Sequence, residues 1–307
     1  MDRFENMAIF NRVVEAGSIS AAAESAGIAK SAVSRRLKEL EAHLGVQLFQ
    51  RTTRRINLTD TGRAFYQRST RILEDVIEAE HATSQRHGTL KGRLKVALPS
   101  TFGYLHLGPA VSAFLTEHPG IEFELDFNER SVDLMQEGFD LAIRIAQLPD
   151  SSLIARRLAP VRHVMCASQA YLDEHGTPQS LEDLANHRCL VYSLSSEPDH
   201  WVFQTDNRET SKIKVTAYLK ASSGEYLTQA AIDGLGIIQL PSFIVHRDIE
   251  QGRLVPVLSN HTRTDLHVYA IYPQTRHLSQ RVRAFINFLV KRFEDVPYWD
   301  QCLSCDL

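Results

Sequence analysis

The chain has 307 residues, with 34 Lys or Arg against 37 Asp or Glu and a formal charge of −3. The length suits two or three domains with ample cores, and so mild an acidity excludes a surface that clings to nucleic acid everywhere. No apolar run reaches the ~20 residues of a membrane helix and the opening Met-Asp-Arg-Phe-Glu is no signal peptide, so a cytoplasmic location is expected; four cysteines do not make a disulfide framework.

The charge is unevenly placed: residues 30–71 carry ten Lys or Arg and three acids. The stretch opens beside a helix that should start at Ser18, whose hydroxyl can cap free backbone N–H groups ahead of Ala21-Ala22-Ala23-Glu24. Three small side chains let a second helix cross closely. Gly27 supplies a turn residue for positive φ, and Ile28 is placed to pack between the two helices. From Ala29 to His43, Val33, Leu37, Leu40 and Leu44 recur at helical spacing, while Lys30, Ser31, Ser34, Arg35 and Lys38 take the other side. A lone basic amphipathic helix is as often a plain solvated face. Here Arg51, Thr52, Thr53, Arg54 and Arg55 follow Leu48-Phe49, and Ile56-Asn57-Leu58 reads as a short strand. The pattern is a helix-turn-helix with a wing, whose arginines reach phosphates or the minor groove and whose threonines add phosphate contacts.

Thr59 is a fitting N-cap for a helix free of Pro from Asp60 to about His87. Phe65, Ser69, Ile72, Val76, Ala79 and Thr83 form a heptad seam that Leu73 and Ile77 widen. A helix of ~28 residues would run ~42 Å, too long to rest on a small winged module, so a dimerisation helix is expected. Pairing also doubles the DNA site. His87-Gly88-Thr89-Leu90-Lys91-Gly92 reads as a hinge.

Strands then alternate with helices. The reading places a strand at Arg93–Leu98, a helix after Pro99 to about His118, a strand at Ile121–Phe127, a short helix at Val132–Gln136 and a strand at Phe139–Ile145. A strand pair around 153–168 precedes a helix near 169–175, strands at Cys189–Tyr192, Trp201–Gln204 and Ile213–Tyr218, a helix at Ser223–Asp233, a strand at Gly236–Gln239 and a helix at Ser242–Glu250. The last strand, His267–Tyr272, and the helix Leu278–Phe293 suit the first subdomain better, giving two crossings between lobes. Such alternation predicts a mainly parallel sheet covered on both faces.

The order of Ala21-Ala22-Ala23-Glu24, Ser31-Ala-Val-Ser-Arg35, Leu40-Glu-x-x-Leu-Gly-Val-x-Leu-Phe-x-Arg51-Thr-Thr-Arg54 and Leu58-Thr-x-x-Gly62 resembles the DNA-binding domain of LysR-type transcriptional regulators. Total length and the later segments extend the resemblance over nearly the whole chain. Two positions depart: Lys30-Ser31 stands where many members have Gln-Pro, and Ala26 where Leu is common. The resemblance implies an α/β protein with an N-terminal winged helix-turn-helix (1–59), a linker helix (60–88) and a two-lobed effector domain (89–307) similar to type II periplasmic binding proteins. Lobe I would hold about 92–162 and 266–297, lobe II about 163–265. It further implies that Lys30, Ser31, Ser34 and Arg35 enter the major groove, with Arg54 near the minor groove. Its implied partners are promoter DNA, a small-molecule effector, further copies of the chain as homodimer or homotetramer, and RNA polymerase. A solute-binding protein without regulatory role would explain residues 92–295 and leave the basic N-terminal third idle.

Within the cleft that such lobes enclose, Ser100, Thr101 and Phe102 lie at a strand's carboxyl end where a helix begins, and Ser222 and Ser223 repeat the device on the other lobe. Two helix N-termini facing a gap favour an anion, a carboxylate for instance; each serine can equally be an ordinary N-cap. Arg144 is expected either to pair with such an anion or to make a structural ion pair, and Trp201 and Phe203 either to wall the cleft or to fill the core. Cys166 and Cys189 read as buried thiols, and Cys302 and Cys305 as a Cys-x-x-Cys with no second ligand pair. No hydrolase, phosphate-loop or dinucleotide motif occurs, so neither enzyme activity nor cofactor is expected.

Overall fold

The computed structural model describes residues 2–50, 57–83, 90–147, 154–204, 210–261, 263–273, 278–293 and 296–301. The chain forms two compact units, Met1–Gly92 and Arg93–Leu307. Arg51, Thr52, Arg54 and Arg55, residues 87–89 of the expected hinge, and Cys302 and Cys305 lie outside the described residues, and Lys91 and Gly92 of that hinge begin β1.

The first unit contains α1 (Arg3–Ala16), α2 (Ile19–Ala26), α3 (Lys30–Leu44) and α4 (Asp60–Thr83). The Asp2 carboxylate caps α1 by accepting from the Phe4 and Glu5 amides. The sequence reading placed no element here, because the buried Asn6 and Asn11 interrupt the apolar rhythm of Ile9, Phe10 and Val13. Phe10 is the centre of this core, with ring centroids of Phe49, Phe65 and Tyr66 at 5.2, 5.3 and 6.4 Å. Burying one such ring contributes about 1.5–3 kcal/mol. Ala22 and Ala23 are buried, as the close crossing of α2 requires.

The α4 seam divides. Phe65 and Tyr66 pack onto the core of their own domain, and the fully buried Ser69 donates to Asn11 Oδ1 at 2.6 Å. Asn11 in turn donates to Thr70 Oγ1 at 3.0 Å. The first turns of the helix are thus spent within the winged module, whereas Ile72 and Ile77 remain 42% and 53% exposed.

In the second unit β1 (Lys91–Leu98) leads into α5 (Ser100–Phe102), a π-helical turn at Gly103–Leu107 and α6 (Gly108–Glu117), then β2 (Gly120–Phe127), α7 (Leu134–Glu137) and β3 (Leu141–Ala146). After β4 (Ile154–Ala167) come α8 (Gln169–His175), β5 (Cys189–Tyr192), β6 (His200–Gln204), β7 (Thr210–Lys214), β8 (Ala217–Ala221), α9 (Gly224–Ile232), β9 (Ile237–Pro241), α10 (Ser242–Glu250) and β10 (Val255–Val257). β11 (Arg263–Tyr272), α11 (Gln280–Phe293) and a 3-10 turn at Tyr298–Asp300 complete it.

The strand order is β2-β1-β3-β11-β4-β9-β5-β8. β1 and β3 run parallel, as do β5, β8 and β9, but β11 is antiparallel to both β3 and β4, and β4 to β9. The sheet is therefore mixed rather than mainly parallel. The expected strand pair at 153–168 is one 14-residue strand. Its first half pairs with β11, from Ile154 with Tyr272 to Val161 with Leu266, and its second half with β9. One strand thereby serves both lobes. The expected strand 213–218 breaks in two, because the Val215 amide donates to Asp199 O at 2.9 Å; β7 then forms a hairpin with β6 while β8 joins β5. β11 and α11 do return to the first lobe, where Phe285 packs against Phe114 and Phe123 at 5.1 and 5.0 Å.

Candidate nucleic-acid interface and effector site

Ser18 Oγ accepts the Ala21 amide at 3.0 Å and so caps α2. Gly27, at φ 63°, ends it in the left-handed region, and its amide donates to the Ala23 and Glu24 carbonyls. α3 follows with Val33, Leu37 and Leu40 buried. Its other face exposes Lys30, Ser31, Arg35 and Lys38, with Ser34 half-buried beside them. The adjacent arginines have different fates. Arg36 is half-buried against Glu5 of α1 at 2.5 Å, a clip between helices, while Arg35 is exposed with only a 3.8 Å contact to an exposed Glu39. That contact is weak in water.

The base of the wing is held from several sides. Phe49 and Leu58 form a β-bridge, and Gln50 N donates to Asn57 O at 2.8 Å. Thr59 N donates to Leu48 O at 3.0 Å, and its hydroxyl donates to Gln47 O at 2.8 Å while accepting the Gly62 amide at 2.9 Å. Thr59 is thus the cap of α4 and a clasp on the wing at once. Glu41 Oε1 accepts the Leu48 and Phe49 amides at 2.8 and 3.3 Å. Sequence spacing gave no sign of this contact.

In the second unit, Ser100 and Thr101 sit half-buried at the carboxyl end of β1. The Ser100 amide already holds a carboxylate, that of Glu129, at 2.7 Å. On the other lobe, Ser223 Oγ caps α9 through the Tyr226 amide at 3.1 Å, and its hydroxyl donates to Glu225 at 2.9 Å; the neighbouring Ser222 is exposed. The phenol of Tyr192, at the end of β5, is pushed up by burial and then by the charges of Glu129 and Glu225. Tyr192, Glu129 and Glu225 were missed in the sequence, although the end of a strand before a loop was the available signal.

Among the described residues Arg144 makes no structural ion pair. It donates to the Arg130 carbonyl at 2.6 Å and to the Asn128 carbonyl at 3.5 Å, pinning the chain after β2. Burial lowers its pKa, with Glu129 opposing. Three expected cleft aromatics belong to the core instead. Trp201 and Phe203 are 5% and 1% exposed among Met165, Tyr171, Val191 and Val215. Phe102 is fully buried, with Phe243 and Trp299 at 5.1 and 5.6 Å. β6 pairs in a two-stranded hairpin, a placement that no alternation in sequence reveals.

The two lobes meet through His106. Its Nε2 lies 2.9 Å from the Phe243 carbonyl of α10, which only accepts, so Nε2–H donates and Nδ1 accepts from the Tyr298 hydroxyl at 2.5 Å. Burial lowers the His106 pKa to about 4. Cys166 and Cys189 are free and buried, and burial raises both thiols, Cys189 to about 12. They stay protonated and unreactive at neutral pH. Among the described residues no cluster could hold a metal ion, and no helix is long and apolar enough to cross a membrane.

Residues 4–63 match the family model described as "Bacterial regulatory helix-turn-helix protein, lysR family", and residues 87–294 match "LysR substrate binding domain". The HTH-type transcriptional regulator CrgA of Neisseria meningitidis serogroup B is 38% identical over 291 residues, covering 94% of this chain and 96% of that one. The HTH-type transcriptional regulator PtxR of Pseudomonas aeruginosa is 35% identical, covering 94% and 92%. The solved structure of CrgA superposes with a TM-score of 0.60 at 36% identity, covering 95% of this chain and 99% of that one. The full-length Vibrio cholerae virulence activator AphB gives 0.58 at 29%, covering 94% and 99%. A winged helix-turn-helix joined through a linker helix to a two-lobed domain, matched by both family models, makes this chain a member of the LysR family: a DNA-binding transcriptional regulator, not an enzyme, with a small-molecule-responsive C-terminal domain.

Proposed function

We propose that α3 lies in the major groove of promoter DNA, with Lys30, Ser31, Ser34 and Arg35 toward the bases and Arg51, Thr52, Arg54 and Arg55 on phosphates and the minor groove. The observation that carries this is the exposed basic face of α3 opposite buried Val33, Leu37 and Leu40. Arg35→Ala should weaken operator binding by about 1–3 kcal/mol and relax base discrimination, whereas Arg54→Ala should mainly shallow the salt dependence by about one unit. Titration against operator and random duplexes checks this; equal losses on random DNA for both variants would count against Arg35 as a base reader.

Two copies pair through α4, where Ile72 and Ile77 offer exposed apolar surface, and dimers associate into homotetramers that work in the cytoplasm with RNA polymerase. The effector binds between the lobes at Ser100, Thr101, Ser222, Ser223 and Tyr192. Glu129 on the Ser100 amide supports an anionic effector, because one carboxylate already fits there. An incoming carboxylate displaces it, shifts the population of lobe arrangements and alters the spacing or bend of bound DNA. Removing the internal competitor with Glu129→Ala should tighten binding of an anionic effector several-fold. A thermal-shift panel of small carboxylic acids and small amines on wild type and variant reads this, and stabilisation by amines alone would refute the anionic class.

A further inference from the structure

Glu41 stands in the last turn of α3, where the helix dipole disfavours a carboxylate and a lysine or arginine would be the favoured residue. One of its oxygens accepts two consecutive backbone amides, Leu48 at 2.8 Å and Phe49 at 3.3 Å. Phe49 also forms a β-bridge with Leu58, and Gln50 N donates to Asn57 O. Leu48 is fully buried, and its carbonyl is held by Thr59 on the far side. The chain therefore leaves the recognition helix and enters the wing at an angle set by a side chain of that same helix.

We propose that Glu41 is a positioning residue for DNA binding. It ties α3 to the base of the wing at Leu48 and Phe49, so that the helix face and the wing base keep one orientation toward the duplex. Its role depends on reach rather than charge: the carboxylate must extend far enough to meet both amides. The proposal rests on the reading that Arg51 and Arg54 contact phosphates.

Electrostatics and positioning predict opposite signs. Deleting an acid beside a polyanion should by itself tighten binding. Loss of the tie should weaken it. The test uses the full chain and a labelled random-sequence duplex of about 30 base pairs, titrated from roughly 50 to 200 mM salt. Glu41→Ala and the one-methylene-shorter Glu41→Asp are expected to weaken binding about ten-fold and to shallow the salt slope by about one unit, whereas Glu41→Gln stays within about two-fold of wild type. Should Glu41→Ala not fold, the Asp and Gln variants carry the comparison. Tighter binding by Glu41→Ala, or Glu41→Asp matching wild type, overturns the proposal. An unchanged slope in Arg54→Ala refutes the wing reading separately. Hydrogen exchange at Leu48 and Phe49 then still reads the tie: protection lost in Glu41→Ala and kept in Glu41→Gln supports it, and protection kept in both overturns it.

Discussion

Gly62→Ala is expected to destabilise the N-terminal domain by about 3 kcal/mol, the upper part of the range for forcing an extra carbon into a filled site. A Cβ at Gly62 would lie 2.0 Å from the Leu48 carbonyl oxygen and 2.9 Å from its carbon. Neither atom can retreat easily, since Leu48 O accepts from Thr59 N and the Leu48 amide is held by Glu41. Gly62 lies in the first turn of α4, so helix propensity alone predicts the opposite sign, a gain of about 1 kcal/mol. The two views separate cleanly. Scanning calorimetry of the full chain should show the N-terminal transition falling by roughly 10–20 °C, with the effector-domain transition unmoved. A rise in the first transition would mean that the close approach of α4 to the wing base is not rigid.

Acid sensitivity of the effector domain should trace to His106. Burial lowers its folded-state pKa to about 4 from 6.5, with its hydrogen bond to Phe243 opposing and the charges of His246 and Arg247 adding to the fall. Between those values the unfolded chain carries a proton that the folded chain lacks. Stability is therefore complete above about 6.5, declines as the pH drops, and levels off below about 4, a total loss of about 3 kcal/mol. His246, also lowered chiefly by burial, acts in the same direction. Urea melts of wild type and His106→Gln between neutral pH and about 4 provide the check. The variant should lose most of the pH dependence of its C-terminal transition, and superimposable profiles would remove His106 from the account.

The helix-turn-helix was legible because its determinants are local. Ser18 caps within three residues, Gly27 ends α2, and the four-residue spacing of Val33 and Leu37 reports the buried face of α3 directly. α1 was not legible, since its buried Asn6 and Asn11 make sense only beside α4, where Asn11 meets Ser69 and Thr70 across 58 and 59 residues of chain. The effector domain was read correctly in most of its elements and wrongly in its pairing. β4 looked like two strands because only its second half is buried on both faces, yet its partners β11 and β9 make it one. Trp201 and Phe203 suited a ligand wall as well as a core, and the hairpin of β6 with β7 decided for the core. Arg144 suited an anion or a structural ion pair, and its contacts to the carbonyls of Asn128 and Arg130 were not visible in the sequence.

Sequence alone determined that this protein carries a basic helix-turn-helix followed by alternating strands and helices, because caps, turns and periodic burial act over a few residues and leave their spacing in the chain, while the two-lobed arrangement was implied by the family resemblance. Tertiary structure decided which of the charged and polar groups remain available: Arg36 is absorbed by Glu5, Arg144 by backbone carbonyls and the Ser100 amide by Glu129, while Arg35 stays exposed with a 3.8 Å contact to Glu39. The reason is that a charged side chain is satisfied by whichever acceptor or donor the fold brings within about 3 Å, and that partner can lie anywhere in the sequence.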